Sequence, residues 1–570
     1  MFVAVFYTVN PTFRDVEIPV IQKILHPEYY NGEFFSIDLG KYNPYFNYDY
    51  FAAFIARLFG YTENLLALGK IFWLFEKGFT IFVLVKLCNY IFKNDKTTLA
   101  IAIIAFIAFL DNEATQKSMA MPLFILAIYY FLKERWIVSA LLSASVFYLH
   151  IGKATWLVLT VFIAFVVIWY RGRKISLKQI ISYFAIVFVL ASPIIFIYFG
   201  RTAHSSVDDF SIKYFYFTGG QDTSPLVSIE VNPIYFLVQW FLCGVFFVGY
   251  YKAKKEGCIV VNIMPVIIGV ISLYLMQFVF ADIFWNSKVI TMQLSRAVII
   301  NYIFGILFSA FLLSSQIKKG NYIFFFLFVL MFFFYRRGIA FISLSIALII
   351  YEIYEEYILN IVKKLCKGIG KVVNTKEIKK RESNVLQYPV VIALCLLVLF
   401  ILPKFSIAAP IKSYVKSILY RSSFIVGLNK EKNEKEAYDE VFKYINENIK
   451  GKAVFLYPFN KWEFPSYTHH ECFINSYTPL FNLFYNNQPS HKFVYILQND
   501  LNCSIDKLFE NWDGKNLYDR WDEMWKNLNE DIIKRWKERY MLTHVIRENS
   551  FPLKFPIIYQ NSYYTVYEIE

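Results

Sequence analysis

The stretch from Met119 to Lys174, MAMPLFILAIYYFLKERWIVSALLSASVFYLHIGKATWLVLTVFIAFVVIWYRGRK, decides the fold class. Its three apolar runs, Met119 to Leu132, Trp136 to Leu149 and Ala154 to Tyr170, are broken only by KER at Lys133–Arg135 and HIGK at His150–Lys153. Crossing a bilayer takes roughly 20 apolar residues, so these runs are spans or near-spans, some short of a full crossing. The same pattern continues on both sides. Upstream are Leu65 to Phe92 and Thr97 to Leu110; downstream are Ile180 to Phe199, Pro233 to Tyr251, Ile259 to Ile283, Ala297 to Leu313, Tyr322 to Phe334, Ile339 to Tyr351 and Tyr388 to Leu402. The expected architecture is a mostly α-helical polytopic membrane domain over residues 1–404, with about 12–13 transmembrane helices, followed by a separate domain over 405–570.

Composition agrees. Of 570 residues, 57% are hydrophobic, 20% aromatic and only 18% charged, against about 25% charged in soluble proteins, and mean hydropathy is +0.42. An ordinary cytosolic enzyme is excluded. The net charge of +14 could suggest nucleic acid, but residues 405–570 carry equal numbers of basic and acidic side chains, so the whole excess lies in the membrane part. No basic soluble face is left for DNA or RNA.

That excess falls in alternate loops: Lys93 and Lys96, Lys133 and Arg135, Arg171 to Lys178, Lys252 to Lys255, Lys318 and Lys319, and Lys363 to Arg381. By the positive-inside rule these are cytoplasmic. The other set faces outward: residues 10–48, Asp111 to Lys117, His150 to Lys153, Gly200 to Glu230, Ala281 to Arg296, the Arg336–Arg337 pair, which runs against the rule, and everything after Leu402. A multi-pass protein of the plasma (inner) membrane is implied. Met1 to Val9 is apolar but too short to span and has no basic flank, which suggests a missing upstream segment or a short tilted insertion.

In the first outer loop, Val20, Ile21, Ile24 and Leu25 share one helical face, as do Phe46, Tyr50, Phe51, Phe54, Ile55 and Leu58, so two amphipathic helices are expected on the outer leaflet. Beyond Leu402 the pattern changes to a small extracytoplasmic α/β domain. A helix is expected over Glu434–Lys450, a strand at Ala453–Tyr457, one or two helices within Ile505–Tyr540, and strands at Thr543–Ile546, Pro556–Tyr559 and Tyr563–Ile569. Cys472 and Cys503 are the cysteines of this tail, either disulfide-linked or two separate thiols.

No Walker loop, GxGxxG, HExxH or GxSxG occurs, which removes support for ATP-driven transport, dinucleotide chemistry, zincin proteolysis and common serine hydrolysis. What remains is an acidic first outer loop, many spans and an outer tail. With RDVE at Arg14–Glu17, HPEYYNGEFF behind it, and the ending THVI…IIYQNSYYTVYEI, the chain resembles the GT-C superfamily of membrane glycosyltransferases, and its tail is similar to those of uncharacterised bacterial and archaeal proteins of that type. The resemblance implies transfer of a sugar from a polyprenyl-phosphate donor to a glycan, lipid or protein acceptor outside the cytoplasm, with a first-loop acid as general base. The motif here is D-x-E rather than adjacent acids, so Asp15 or Glu17 takes that role.

Cations must stabilise the departing phosphate. Arg296, in QLSRAVI, is the first candidate, followed by Arg201, Lys153 and Arg336–Arg337, with His150 beside Lys153 in FYLHIGKATW. Each has a plainer role as loop charge, interface anchor or lipid-snorkelling cation. Asp111–Glu113 reads as a hydrophilic turn, and THHEC at Thr468–Cys472 has no partner cluster at zinc spacing. No cofactor is required, although a divalent cation is compatible with the chemistry. Two other classes stay open: a transporter or flippase of a lipid-linked saccharide, for which interior charges are few beyond Glu76, Lys77 and Lys86, and a non-catalytic envelope assembly protein.

Overall fold

The computed structural model describes residues 12–13, 17–29, 46–62, 64–109, 113–172, 175–202, 233–259, 261–319, 424–458, 470–473, 495–502 and 523–569, with positions 212, 216, 224–226, 229 and 468. The expected spans after Lys319, the loop Lys363–Arg381, Arg336–Arg337, Asp15, Asp111 and Cys503 lie outside the described residues.

The membrane part begins with a two-residue strand β1 (Thr12–Phe13) and helices α1 (Glu17–Leu25), α2 (Phe46–Phe59), α3 (Leu65–Phe92) and α4 (Lys96–Phe109). Strand β2 (Glu113–Ala114) leads into α5 (Gln116–Leu132), α6 (Trp136–Leu149), α7 (Ile151–Tyr170) and α8 (Leu177–Thr202). After it come α9 (Pro233–Lys255), α10 (Ile263–Gln277) continued by a π turn (Phe278–Ile283), the short α11 (Ser287–Met292), a 3₁₀ turn (Leu294–Val298) and α12 (Ile299–Lys318). Among the described residues four helical stretches are long and apolar enough to cross a membrane: Ile151–Tyr170, Leu177–Ile197, Ile263–Ile283 and Ser287–Lys318. Lys96–Phe106, Lys117–Leu132 and Trp136–Leu149 are shorter apolar helices. Helix α3 has the length, at 28 residues, but carries Lys70, Glu76, Lys77 and Lys86.

Helix burial differs sharply. The Ser287–Lys318 segment is 83% buried along its most apolar window, whereas Leu177–Ile197 is 22% buried and displays Ile181, Phe188, Val189 and Phe196 outward. The central α9–α12 contact is close because small residues face large ones reciprocally. A Cβ on Gly249 would come to 2.8 Å from Phe308 Cβ, and one on Gly305 to 2.9 Å from Leu242 Cβ. Close backbone approach of this kind is the packing that holds helices together where no water drives them to associate.

One end of the bundle gathers the basic loops. Asp95 caps α4 through Thr97 and Thr98, and accepts the Lys318 ammonium at 2.7 Å. Tyr90 donates to the Leu132 carbonyl, Lys133 lies over the Tyr90 and Tyr129 rings, and Asn262 donates to Glu134 at 3.1 Å. Burial alone would push the Asp95 carboxyl up, but the Lys318 and Thr98 hydrogen bonds and the Lys318 charge hold it below its usual range.

Helix α2 behaves as its sequence pattern requires. Tyr48, Ala52, Ala53 and Ala56 pack inward with Ile18, Ile21 and Leu25 of α1 and Leu68, Phe72 and Trp73 of α3, while Tyr50, Phe51, Phe54 and Leu58 are exposed. This is an apolar face turned away from the protein, suited to a lipid boundary.

The tail has α13 (Phe424–Asn448), β3 (Val454–Leu456), β4 (Glu471–Cys472), α14 (Glu530–Tyr540), β5 (His544–Glu548), β6 (Ile557–Gln560) and β7 (Tyr564–Glu568). The sheet order is β4-β3-β5-β7-β6; β3 pairs parallel with both β4 and β5, and the pairs to β7 are antiparallel. Period-two alternation sends successive residues to opposite faces. Leu456, Val545 and Tyr567 pack with Trp525, Ile533 and Trp536; Phe455, Ile546 and Val566 pack with Tyr438, Val441 and Ile445 of α13. Both faces are therefore covered, giving a three-layer α/β unit. Lys23 of α1 and Glu471 of β4 sense each other electrostatically: burial lowers the Lys23 amine, and Glu471, then Glu28, oppose that shift.

His544 stacks on Phe455 with ring centroids 4.7 Å apart and pairs through Nδ1 with the Thr543 hydroxyl at 2.7 Å. Burial lowers its pKa, and Glu568 only partly opposes this. Because the unfolded chain then takes up a proton first, the tail's stability is full above the ordinary value near 6.5 and declines as pH falls toward the folded pKa. His544→Gln should flatten that acid limb, read as the tryptophan-fluorescence unfolding midpoint at pH 7.5 and pH 5. An unchanged slope would assign the acid sensitivity elsewhere.

Candidate functional site

The opposite end of the bundle is assembled from segments far apart in sequence. Strands β1 and β2 pair in parallel, Thr12 with Glu113 and Phe13 with Ala114. Asp15 and the side chain of Glu17 lie outside the described residues. The backbone on either side of RDV is fixed, however: Phe13 lies opposite Ala114, and α1 opens at Glu17. The ladder thus sets Thr12–Phe13 beside Glu113–Ala114, immediately before the Thr115 cap of α5.

There Thr115 caps α5 by accepting from the Ser118 backbone N–H, and its hydroxyl bonds that of Ser118 at 3.1 Å. The Lys117 carbonyl accepts the Lys153 ammonium at 2.8 Å, and Met121 Sδ lies 3.4 Å from the same nitrogen. Lys153 is only 3% exposed. A burial that deep for an ammonium is costly unless oxygen ligands or an anion face it.

His150 is the single residue joining α6 to α7. Its Nδ1 accepts from the Lys153 backbone N–H at 3.1 Å, so it caps α7 with its ring. That acceptor role leaves the proton of the neutral imidazole on Nε2. Burial, and then the charges of Lys153, Lys117 and Arg296, hold the His150 pKa well below its ordinary value. The sequence candidates His150, Lys153 and Arg296 therefore share one electropositive neighbourhood, joined by Lys117.

Arg296 is presented by irregular backbone. The π turn ends α10, Asn286 caps α11 through the Lys288 and Val289 amides, and Gln293 takes a left-handed φ of 51° before the 3₁₀ turn. Left-handed residues and π turns of this kind concentrate at functional positions. Two hydrogen bonds fix the turn: the Trp156 indole donates to the Met292 carbonyl at 2.9 Å in a half-buried contact, and the buried Leu294 amide donates to Gln277 Oε1 at 2.9 Å. Asn47 of α2 reaches the Tyr148 carbonyl at 3.4 Å, tying the amphipathic helix to the same end.

Arg201 sits near the C-terminal end of α8, 11 residues beyond Leu190, whose carbonyl accepts the Tyr148 hydroxyl. That is about 16 Å of helix farther along than the level of Tyr148; the Arg201 side chain lies outside the described residues. Sequence reading passed over Lys117, Trp156, Gln277 and Asp282. Asp282 Oδ1 accepts from the hydroxyls of Tyr216 and Ser224, so it holds part of the Gly200–Glu230 loop to the π turn. The only signal available was a polar residue inside an apolar run, as in LYLMQFVFADIF. In THHEC, Glu471 and Cys472 form the buried edge strand β4, and His469 lies outside the described residues. No cluster of three or more His, Cys, Asp or Glu suited to a metal occurs among the described residues.

Chemically, this end of the bundle offers the buried Lys153 ammonium, the half-buried Lys117 and Arg296 and a neutral imidazole, a set of donors and positive charge suited to an anion. No protein-family model matches the chain, and no curated protein matches it.

Proposed function

We propose that the chain is a membrane glycosyltransferase of the GT-C type, moving a sugar from a polyprenyl-phosphate donor to an acceptor outside the cytoplasm. The observation that carries this reading is the shared neighbourhood of His150, Lys153, Lys117 and Arg296 next to the β1–β2 ladder. In the reaction, Asp15 or Glu17 takes the acceptor hydroxyl proton as the oxygen attacks the anomeric carbon. The sugar–phosphate bond breaks, and the electron pair leaves on the polyprenyl phosphate, whose charge Lys153 and Arg296 offset. His150, neutral with its proton on Nε2, supplies a donor that adds no further positive charge. The exposed apolar face of α2 and the lipid-facing spans suit a donor that approaches within the membrane.

The test is the purified protein in lipid nanodiscs, supplied with a labelled polyprenyl-phosphate sugar and an envelope-glycan acceptor. Formation of glycosylated acceptor with release of polyprenyl phosphate is the expected result. Movement of intact donor between leaflets of liposomes, without bond cleavage, would replace this reading with that of a flippase.

A further inference from the structure

Gln277 is buried in the protein at 0% exposure, at the end of α10. Its carboxamide is oriented by one bond: Oε1 accepts the Leu294 amide, and only an oxygen can accept there, so Nε2 carries the two donor hydrogens. Nε2 is buried and has no hydrogen-bond partner among the described residues. A buried amide donor left unpaired is costly, and one found in a native site calls for a partner such as a ligand that supplies the acceptor.

Its place along the bundle follows from helix register. Helices α7 and α10 run antiparallel and meet where Gly269 faces Thr160, since a Cβ on Gly269 would come to 2.6 Å from the Thr160 carbonyl oxygen. Gln277 lies eight residues beyond Gly269, so it stands at the level of the residue eight before Thr160, which is Gly152. Gly152 immediately precedes Lys153 and lies two residues after His150, whose ring sits close against it. On its other side, Gln277 holds Leu294, two residues before Arg296. Trp156, one turn from Gly152, holds Met292 of the same segment.

We infer that Gln277 is a ligand-binding residue of this site, its Nε2–H donating to an oxygen of a phosphoryl group held by Lys153 and Arg296. The inference rests on the proposed reading of the site as one for a lipid-borne phosphate. The amide supplies a donor without a second charge, and the Leu294 bond fixes its direction before any ligand arrives, so little side-chain freedom is lost on binding. Gln277→Glu keeps the acceptor for Leu294 while replacing both donors with a carboxylate oxygen that repels phosphate.

The experiment uses the full chain in nanodiscs, titrated with polyprenyl monophosphate and, separately, with the neutral polyprenol of the same length. Gln277→Glu should weaken monophosphate binding tenfold or more and leave polyprenol binding within twofold, with an unchanged unfolding midpoint. Gln277→Met, which cannot hold Leu294, should weaken it as well. Equal loss for both lipids in Gln277→Glu would make Gln277 a packing residue and overturn the inference. Unchanged monophosphate binding in Gln277→Glu, with loss in Arg296→Gln, would overturn it while leaving the site reading standing. A wild-type protein that does not distinguish the two lipids would overturn both. Competition by inorganic phosphate separates recognition of a free anion from recognition of a lipid headgroup.

Discussion

The double variant Asp15→Asn, Glu17→Gln should lose sugar transfer by about 10²–10⁴-fold, the range attributable to a positioned general base. One of the two single variants should account for nearly all of that loss, because one oxygen takes the proton while the other carboxylate contributes only charge. The rest of the site should survive: cations and Gln277 still bind the donor, so binding of polyprenyl monophosphate stays close to wild type while turnover collapses. Both amides are near-isosteric, and the β1–β2 ladder is made by backbone, so insertion and folding should not change. The check is turnover and donor binding measured on the same nanodisc preparations. Full transfer by the double variant would remove the first loop from the chemistry.

The second large effect concerns the tail. Arg547, 2% exposed in β5, donates to the carbonyls of Leu528, Trp525 and Lys526, and its guanidinium lies over the Trp525 ring. Trp525 in turn donates to Glu548 at 2.8 Å. One planar fork therefore satisfies three carbonyls where the 523–526 helical turn ends. Arg547→Met strands those carbonyls away from water and should cost about 3 kcal/mol of tail stability. Arg547→Lys should recover only part of it, since an ammonium cannot match the fork. Trp525 sits inside this network, so unfolding of the full-length protein followed by tryptophan fluorescence reads the change directly. A midpoint within a degree of wild type for Arg547→Met would show that water reaches those carbonyls.

Much of the fold was legible because two periods carry it. Uninterrupted apolar runs marked α5 to α8 to within a few residues, and alternation such as YYTVYEI marked β7, whose two faces do enter different cores. Boundaries failed where polar chemistry enters an apolar run. The expected span Ala297–Leu313 instead follows a left-handed residue and a 3₁₀ turn, and Ile259–Ile283 starts as α10 only at Ile263 and ends in a π turn. In the site, His150, Lys153 and Arg296 were legible because charges are rare between spans. Lys117, Trp156 and Gln277 were not, since what they contribute depends on a carbonyl, an indole bond and an amide direction set by partners 36, 136 and 17 positions away. Composition holds no record of such pairings.

The contrast between α8 and α12 bears on how this protein meets its solvent. A helix sheathed in acyl chains must match the thickness of the hydrocarbon layer, whereas one wrapped in neighbouring helices hardly feels it. If these apolar helices cross a bilayer, as their length and composition allow, thinning or thickening it would tilt the exposed α8 while the enclosed α12 keeps its attitude, and the Arg296 turn would ride on the strut least perturbed by lipid composition.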